Sequence, residues 1–243
     1  MSFDPWQWAL LALGAVLVGF SKTGISGLGL LFVVIFAQIM PAKQATGIVL
    51  PLLCFGDLIA VASYRQHAQW RHLWRLFPWT AAGVIAGYWA MNRIDERQAR
   101  LLIGGIVLAL VVMHLVRRRV HGHEADHGAW FPPVIGVLAG FTTLVANAAG
   151  PLMAVYLLAM RLPKMEYMGT GAVFFMLINL FKVPFMVRLG LINPGSFAVN
   201  LWLAPAVVVG ALAGRKILPK INQKVFENLA LGLSAAAGIK LLF

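Results

Sequence analysis

Long apolar runs alternate with short polar clusters along the chain and divide it into ten segments, at about 5 to 20, 27 to 40, 44 to 64, 73 to 91, 97 to 116, 131 to 146, 149 to 160, 166 to 187, 196 to 214 and 225 to 243. Such runs predict helices in hydrocarbon, because a helix satisfies its own backbone N–H and C=O groups where no water reaches. The expected fold class is an all-α polytopic membrane protein. Between the fifth and sixth segments lies RRRVHGHEADHGAW, the one markedly polar stretch. It divides the chain into a first transmembrane repeat over 1–116, a cytoplasmic linker over 117–130 and a second repeat over 131–243.

The two parts carry the same features in the same order. Gly19-Phe20-Ser21 matches Gly140-Phe141-Thr142, and Gly29 matches Gly150, at an offset of 121 residues. GVIAG at 83–87 matches GALAG at 210–214, and Gly105 matches Gly232, at an offset of 127. Internal duplication of this kind is a transporter architecture. Five segments per repeat is an odd number, so the second repeat enters the membrane from the opposite side and the repeats are inverted. The basic residues agree with this. Loops after segments 3, 5, 7 and 9 carry Arg65, Arg71, Arg75, Arg117, Arg118, Arg119, Arg161, Lys164, Arg215, Lys216, Lys220 and Lys224. The other face has Lys43, Arg93, Arg97, Arg100, Arg188 and Lys240, partly offset by Asp4, Asp95 and Glu96. By the positive-inside rule the first set is cytoplasmic and both termini lie outside.

Segments 1 and 2 together hold about 36 residues and segments 6 and 7 about 30, roughly 54 and 45 Å of helix against roughly 60 Å for two full crossings. Each pair is therefore expected to be short or re-entrant, turning near mid-membrane at SKTGISG (21–27) and TTLVANAAG (142–150). Loop charge is the same whether a pair turns back or crosses twice.

Composition strengthens the membrane reading. Of the 243 residues 60% are hydrophobic and 12% charged, with a mean hydropathy of +0.82, more apolar surface than a soluble domain of this size buries. The formal charge of +12 then reads as topology and contact with anionic lipid headgroups, with no nucleic acid as partner. A single cysteine, Cys54, sits inside an apolar run, which excludes an intrachain disulfide and a multi-cysteine metal site. Residues 1–20 contain Asp4 and lack a basic region before the apolar run, so they are read as part of the mature fold, with Trp6 and Trp8 as interfacial anchors.

Irregular backbone at membrane depth is tolerated only where it is buried in protein or lines a wet cavity, which makes the two polar breaks the candidate substrate site. In the first, Ser21, Thr23 and Ser26 offer hydroxyls and Gly24, Gly27 and Gly29 allow close backbone approach. The helix starting near Gly27 presents free N–H groups to an anion. In the second break, Thr142, Thr143 and Asn147 are the polar equivalents, and Gly150-Pro151 opens the next helix. Inverted symmetry brings both helix starts together at mid-membrane. Small residues also serve close helix packing, the reading adopted for GVIAG and GALAG. Lys22 either adds positive charge to the site or snorkels to the cytoplasmic surface. SKTG is no phosphate loop, because Phe20 and Ser21 precede the lysine where that motif requires glycine.

Asp57 in the third segment and Lys182 in the eighth are ionisable residues within spans, where charge is costly and is kept for transport, proton relay or pairing. Asp57 is a candidate proton-coupling carboxylate. Lys182 lies about five residues from the outer end of its segment and has the reach to snorkel, so a direct pair with Asp57 does not follow. Thr46, Thr170 and Asn179 are further candidates to line a pathway. In the linker, His121, His123, Glu124, Asp126 and His127 have the chemistry of zinc ligands, but the run is read as a solvated loop and no metal is expected. No Ser-His-Asp or paired-carboxylate arrangement falls within one segment, so neither an enzyme nor a cofactor is expected.

GFSKTGISGLG at 19–29, followed by an apolar helix and a basic-flanked third span, and GFTTLVANAAGP at 140–151 resemble the TauE/SafE sulfite exporter family, and the likeness runs through nearly all of the chain. The resemblance implies an inner-membrane carrier with two homologous halves for sulfite, sulfonates, sulfoacetate or other sulfur-containing anions. It assigns function to Ser21, Lys22, Thr23, Gly24, Gly27 and Gly29 in the first half and to Thr142, Thr143, Asn147, Gly150 and Pro151 in the second. The expectation is a secondary transporter that exports a small oxyanion by alternating access, driven by the proton gradient or the membrane potential. Its partners are the anion, a coupled proton and membrane lipids, and a homo-oligomer is compatible with the chain. An anion channel, or an uptake carrier for another small anion, would use the same breaks and stays open as an alternative.

Overall fold

The structure is a computed structural model that describes residues 3–22, 28–119, 128–217 and 223–242. The first half contains α1 (Pro5–Ser21), α2 (Leu28–Ile39), α3 (Ala42–Tyr64), a 3-10 turn over Arg65–His67, α4 (Trp70–Arg93) and α5 (Glu96–Arg119). The second contains α6 (Phe131–Ala146), α7 (Gly150–Ala159), α8 (Lys164–Arg188), α9 (Pro194–Ile217) and α10 (Gln223–Leu242). Each predicted apolar segment is one of these helices, and no strand occurs among the described residues. The chain is an all-α membrane protein.

Helix length separates two kinds of element. Ala42–His67, Glu96–Val116, Lys164–Arg188 and Pro194–Gly214 are long and apolar enough to cross a membrane. The helices flanking the two polar breaks are shorter, with 17 residues in α1, 12 in α2, 16 in α6 and 10 in α7. At about 1.5 Å per residue, none of the four spans roughly 30 Å of hydrocarbon by itself. The first pair folds back on itself: α1 packs along α2, and a Cβ placed at Gly14 would meet the Phe36 ring.

The helices pack crosswise between the halves. α4 lies along α6 and α1 along α9, while α3 meets α8 and α5 meets α10. Exchanging the first five helices for the last five maps α4–α6 onto α9–α1, and maps α3–α8 and α5–α10 onto themselves. Glycine makes the two closest crossings. A Cβ at Gly19 would strike the Val207 carbonyl, one at Gly210 the Val16 carbonyl, one at Gly83 the Val137 carbonyl and one at Gly140 the Thr80 carbonyl. The small residues of GVIAG and GALAG thus let backbones touch, as the packing reading expects.

The starts of α3, α5 and α9 are closed by side chains. Asp95 and Gln98 exchange bonds at the start of α5, with Gln98 N–H to Asp95 Oδ1 at 2.8 Å and Asp95 N–H to Gln98 Oε1 at 3.0 Å. Asn193 and Ser196 do the same at α9. The Glu96 carboxylate accepts the backbone N–H of Ala42 and of Lys43, so the first turn of α5 caps α3. Lys43 returns the contact by donating from Nζ to the carbonyls of Met91 and Ile94, at the end of α4. The exterior is apolar: Trp6, Trp70, Trp74, Trp89, Trp130 and Trp202 are each more than half exposed, as suits side chains that meet lipid and its interface.

Candidate functional site

The ends of α1 and α6, the starts of α2 and α7 and the middle of α3 and α8 meet at one cavity of about 130 Å³. Ser21 and Lys22 border it from the end of α1, Gly29 from the start of α2, and Asp57 from α3. Across from them stand Thr143 and Asn147 at the end of α6, Gly150 and Pro151 at the start of α7, and Gly171, Phe175 and Asn179 on α8. Both helix starts present a glycine: a Cβ at Gly29 or at Gly150 would meet nothing within 4 Å. Helix starts of this kind present N-terminal backbone N–H groups, which suit an anion.

A continuous polar chain runs along this wall. Lys22 Nζ lies 2.6 Å from Asp57 Oδ1 and 5.2 Å from the centroid of the Phe175 ring. Asn179 donates from Nδ2 to Asp57 Oδ2 at 2.7 Å. Lys182 donates from Nζ to Asn147 Oδ1 at 2.7 Å, Thr143 Oγ1 at 3.0 Å and Asn179 Oδ1 at 3.1 Å. Asn147 in turn donates from Nδ2 to the Thr46 carbonyl at 2.9 Å. Four helices from both halves thus converge on one network, in which each buried ion is held by charge or by hydrogen bonds.

Both lysines turn inward. Lys22 is 10% exposed and Lys182 fully buried, so neither snorkels to the surface, an option the sequence left open for each. Asp57, also fully buried, pairs directly with Lys22 and reaches Lys182 only through the Asn179 amide. Asn147 ends α6 in the left-handed conformation, with φ 50°, which asparagine tolerates better than most side chains.

Other sequence candidates stand apart. Thr142 turns its hydroxyl back to the Leu138 carbonyl, 2.8 Å away. Thr46 bonds from its hydroxyl to the Lys43 carbonyl, and only its own carbonyl joins the network. Thr170 accepts the Gln69 N–H at 2.9 Å and so ties α8 to the start of α4. The Ser21 hydroxyl donates to the Val18 carbonyl at 2.7 Å, although the residue lines the cavity. Thr23, Gly24, Ser26 and Gly27 lie outside the described residues, as do His121, His123, Glu124, Asp126 and His127. Among the described residues no group of three or more His, Cys, Asp or Glu is placed to hold a metal ion.

Sequence reasoning missed the α8 wall. Met168, Gly171, Ala172 and Phe175 line the cavity along with Asn179, and Lys182 follows one turn later. Their spacing of three and four is a helical stripe, so extending it back from Asn179 and Lys182 would have found them. Gly56 was also missed: a Cβ there would come 2.9 Å from Lys22 Cγ, so this glycine makes room for the lysine stem beside Asp57.

The chain is 24% identical over 184 residues to "Probable inner membrane transporter protein TsaS" of Comamonas testosteroni, an alignment that covers 74% of this chain and 74% of that protein. No solved structure matches it. Residues 11–241 match the family described as Sulfite exporter TauE/SafE, and the chain belongs to that family.

Proposed function

We propose that the protein is a secondary transporter that exports small sulfur-containing oxyanions, of the sulfite, sulfonate or sulfoacetate type, across the inner membrane. The observation that carries this reading is the convergence of Lys22, Gly29 and Gly150 on one cavity between the halves. Two helix starts offer free N–H groups and Lys22 offers charge, while Phe32, Met153 and Leu157 give the cavity apolar walls that keep those dipoles effective. The cavity suits a compact anion of a few heavy atoms. Membership of the family and the inner-membrane name of the TsaS relative support the substrate class and the location.

Alternating access follows from treating 1–116 and 131–243 as inverted repeats, with the basic loops cytoplasmic and both termini outside. The glycine crossings join the first helix of each repeat to the fourth helix of the other. Two such pairs rock about the α3–α8 contact and open the cavity to one side and then the other. An interior-negative potential expels an anion at about 2.3 kcal/mol per charge per 100 mV, which supplies a driving force for export.

A thermal-shift screen of sulfur oxyanions on the purified protein in detergent tests the site. Sulfite or a sulfonate should raise the melting temperature of the parent, and Lys22→Ala and Asn147→Ala should each abolish the rise. A shift that persists unchanged in both variants would mean that the anion binds elsewhere.

A further inference from the structure

Two lysines and one carboxylate set the charge of the cavity, and we infer that this charge selects the valence of the transported anion. The empty site takes a singly charged oxyanion as it stands, and takes a doubly charged one only together with a proton on Asp57. The inference rests on the anion-transport reading above and adds to it the substrate's charge and the residue that sets it.

The charge count takes Lys182 as an ammonium, which its hydrogen bonds accommodate. Lys182 has three donors and three neutral oxygens within reach, from Thr143, Asn147 and Asn179. The orientation of both amides is fixed by their other bonds. The Asn147 amide nitrogen is committed to the Thr46 carbonyl and that of Asn179 to Asp57, so each turns its oxygen to Lys182. An ammonium with three acceptors fits this nest, yet none of the three is a carboxylate. Asp57 is already paired with Lys22 at 2.6 Å.

Among the described residues no other charged group faces Asp57. α1, α2, α6 and α7 contain no acidic or basic residue within their bounds, and Lys22 directly follows α1. α8 contributes Lys182, and α3 itself contributes only the Cys54 thiol. The charged residues of α5 and α9 fall within the first five or the last three residues of those helices, and α5 also carries His114. Two cations and one anion leave one positive charge unbalanced in a low-dielectric interior, where imbalance is costly.

That charge acts on the cavity. All three partners of Lys182 line it, so the ammonium stands one hydrogen bond behind the wall, and Lys22 lines it directly. A sulfonate or bisulfite brings one negative charge and closes the balance. A dianion overshoots by one, unless a proton from the aqueous phase settles on the Asp57 carboxylate. Protonated Asp57 no longer holds Lys22 by charge, and Lys22 is then free to face the dianion, with Lys182 behind the wall. Asp57 thus serves as an internal counter-anion that couples proton uptake to substrate charge.

Calorimetric titration of the purified full-length protein with methanesulfonate and with sulfate tests this, since neither ligand changes its own charge between about pH 6 and about pH 8. Sulfate should take up one proton more than methanesulfonate at each pH, read from buffers of different ionisation enthalpy, and its affinity should rise about tenfold more steeply for each pH unit lowered. Asp57→Asn should lose that extra proton and the steeper pH dependence. Sulfate that takes up no more protons than methanesulfonate in the parent overturns the charge-matching inference and leaves the anion site standing. Failure of both ligands to bind the parent overturns the transport reading itself. Proton uptake is measured on the parent, so the outcome does not depend on the variant's folding.

Discussion

Asn147 combines a backbone task with a side-chain task, and the two can be separated. Its φ of 50° ends α6, while its amide accepts from Lys182 and donates to the Thr46 carbonyl. Asn147→Gly keeps the left-handed backbone but strands a buried N–H and a buried carbonyl, at a cost of about 1–3 kcal/mol. Asn147→Ala loses the same bonds and also places a Cβ in the left-handed region, which costs about 1–2 kcal/mol more. Melting temperatures in detergent should therefore fall in the order parent, Asn147→Gly, Asn147→Ala. Equal melting of the two variants would remove the backbone from this account.

Among the helices, glycines divide into those that hold the fold and those that leave space. Gly19, Gly83, Gly140 and Gly210 have partner backbone where a Cβ would go, so alanine at any of them must push two helices apart, at about 1–3 kcal/mol. Gly29 and Gly150 have nothing within 4 Å, so alanine there should change stability by less than about 0.5 kcal/mol. The added methyl would intrude on the helix starts, so Gly29→Ala and Gly150→Ala should weaken anion-dependent stabilisation while melting like the parent without ligand. The reverse pattern, with packing glycines tolerant and cavity glycines destabilising, would contradict the division. The sequence distinguishes these classes only in part. GVIAG and GALAG read as packing from their repetition, but Gly19 and Gly140 sit inside the motifs that also carry the polar break, and only their position against α9 and α4 shows that they serve packing.

The helix boundaries were legible because hydrocarbon imposes a length and a polarity on each span, and the ten runs of apolar residues record both. The partners of the buried charges were not, because they are set by how α3, α6 and α8 meet and not by spacing along any one helix. Asp57 and Asn179 illustrate this. The 122 residues between them also separate the first residues of α3 and α8, so each stands at the same place along its helix, and the two bond to each other. One bears a charge and its counterpart does not. In the same way Lys22 ends α1 beside Asp57, whereas Thr143 stands near the end of α6 and accepts from Lys182. The scaffold is paired, and the charges are placed unequally upon it.

The proposed inversion of the repeats makes a prediction that packing does not. Equivalent loops after the third helix of each repeat should then lie on opposite sides of the membrane, although they occupy matching places in the chain. Gln66, in the turn after α3, and Pro194, at the start of α9, are both exposed and take part in no described site contact. On a Cys54→Ser background, Gln66→Cys and Pro194→Cys each provide a single thiol. In intact cells a membrane-impermeant maleimide should label Pro194→Cys and spare Gln66→Cys, and permeabilisation should expose both. Labelling of both thiols from the same side would show that the repeats run parallel, and the rocking mechanism built on their inversion would have to be abandoned.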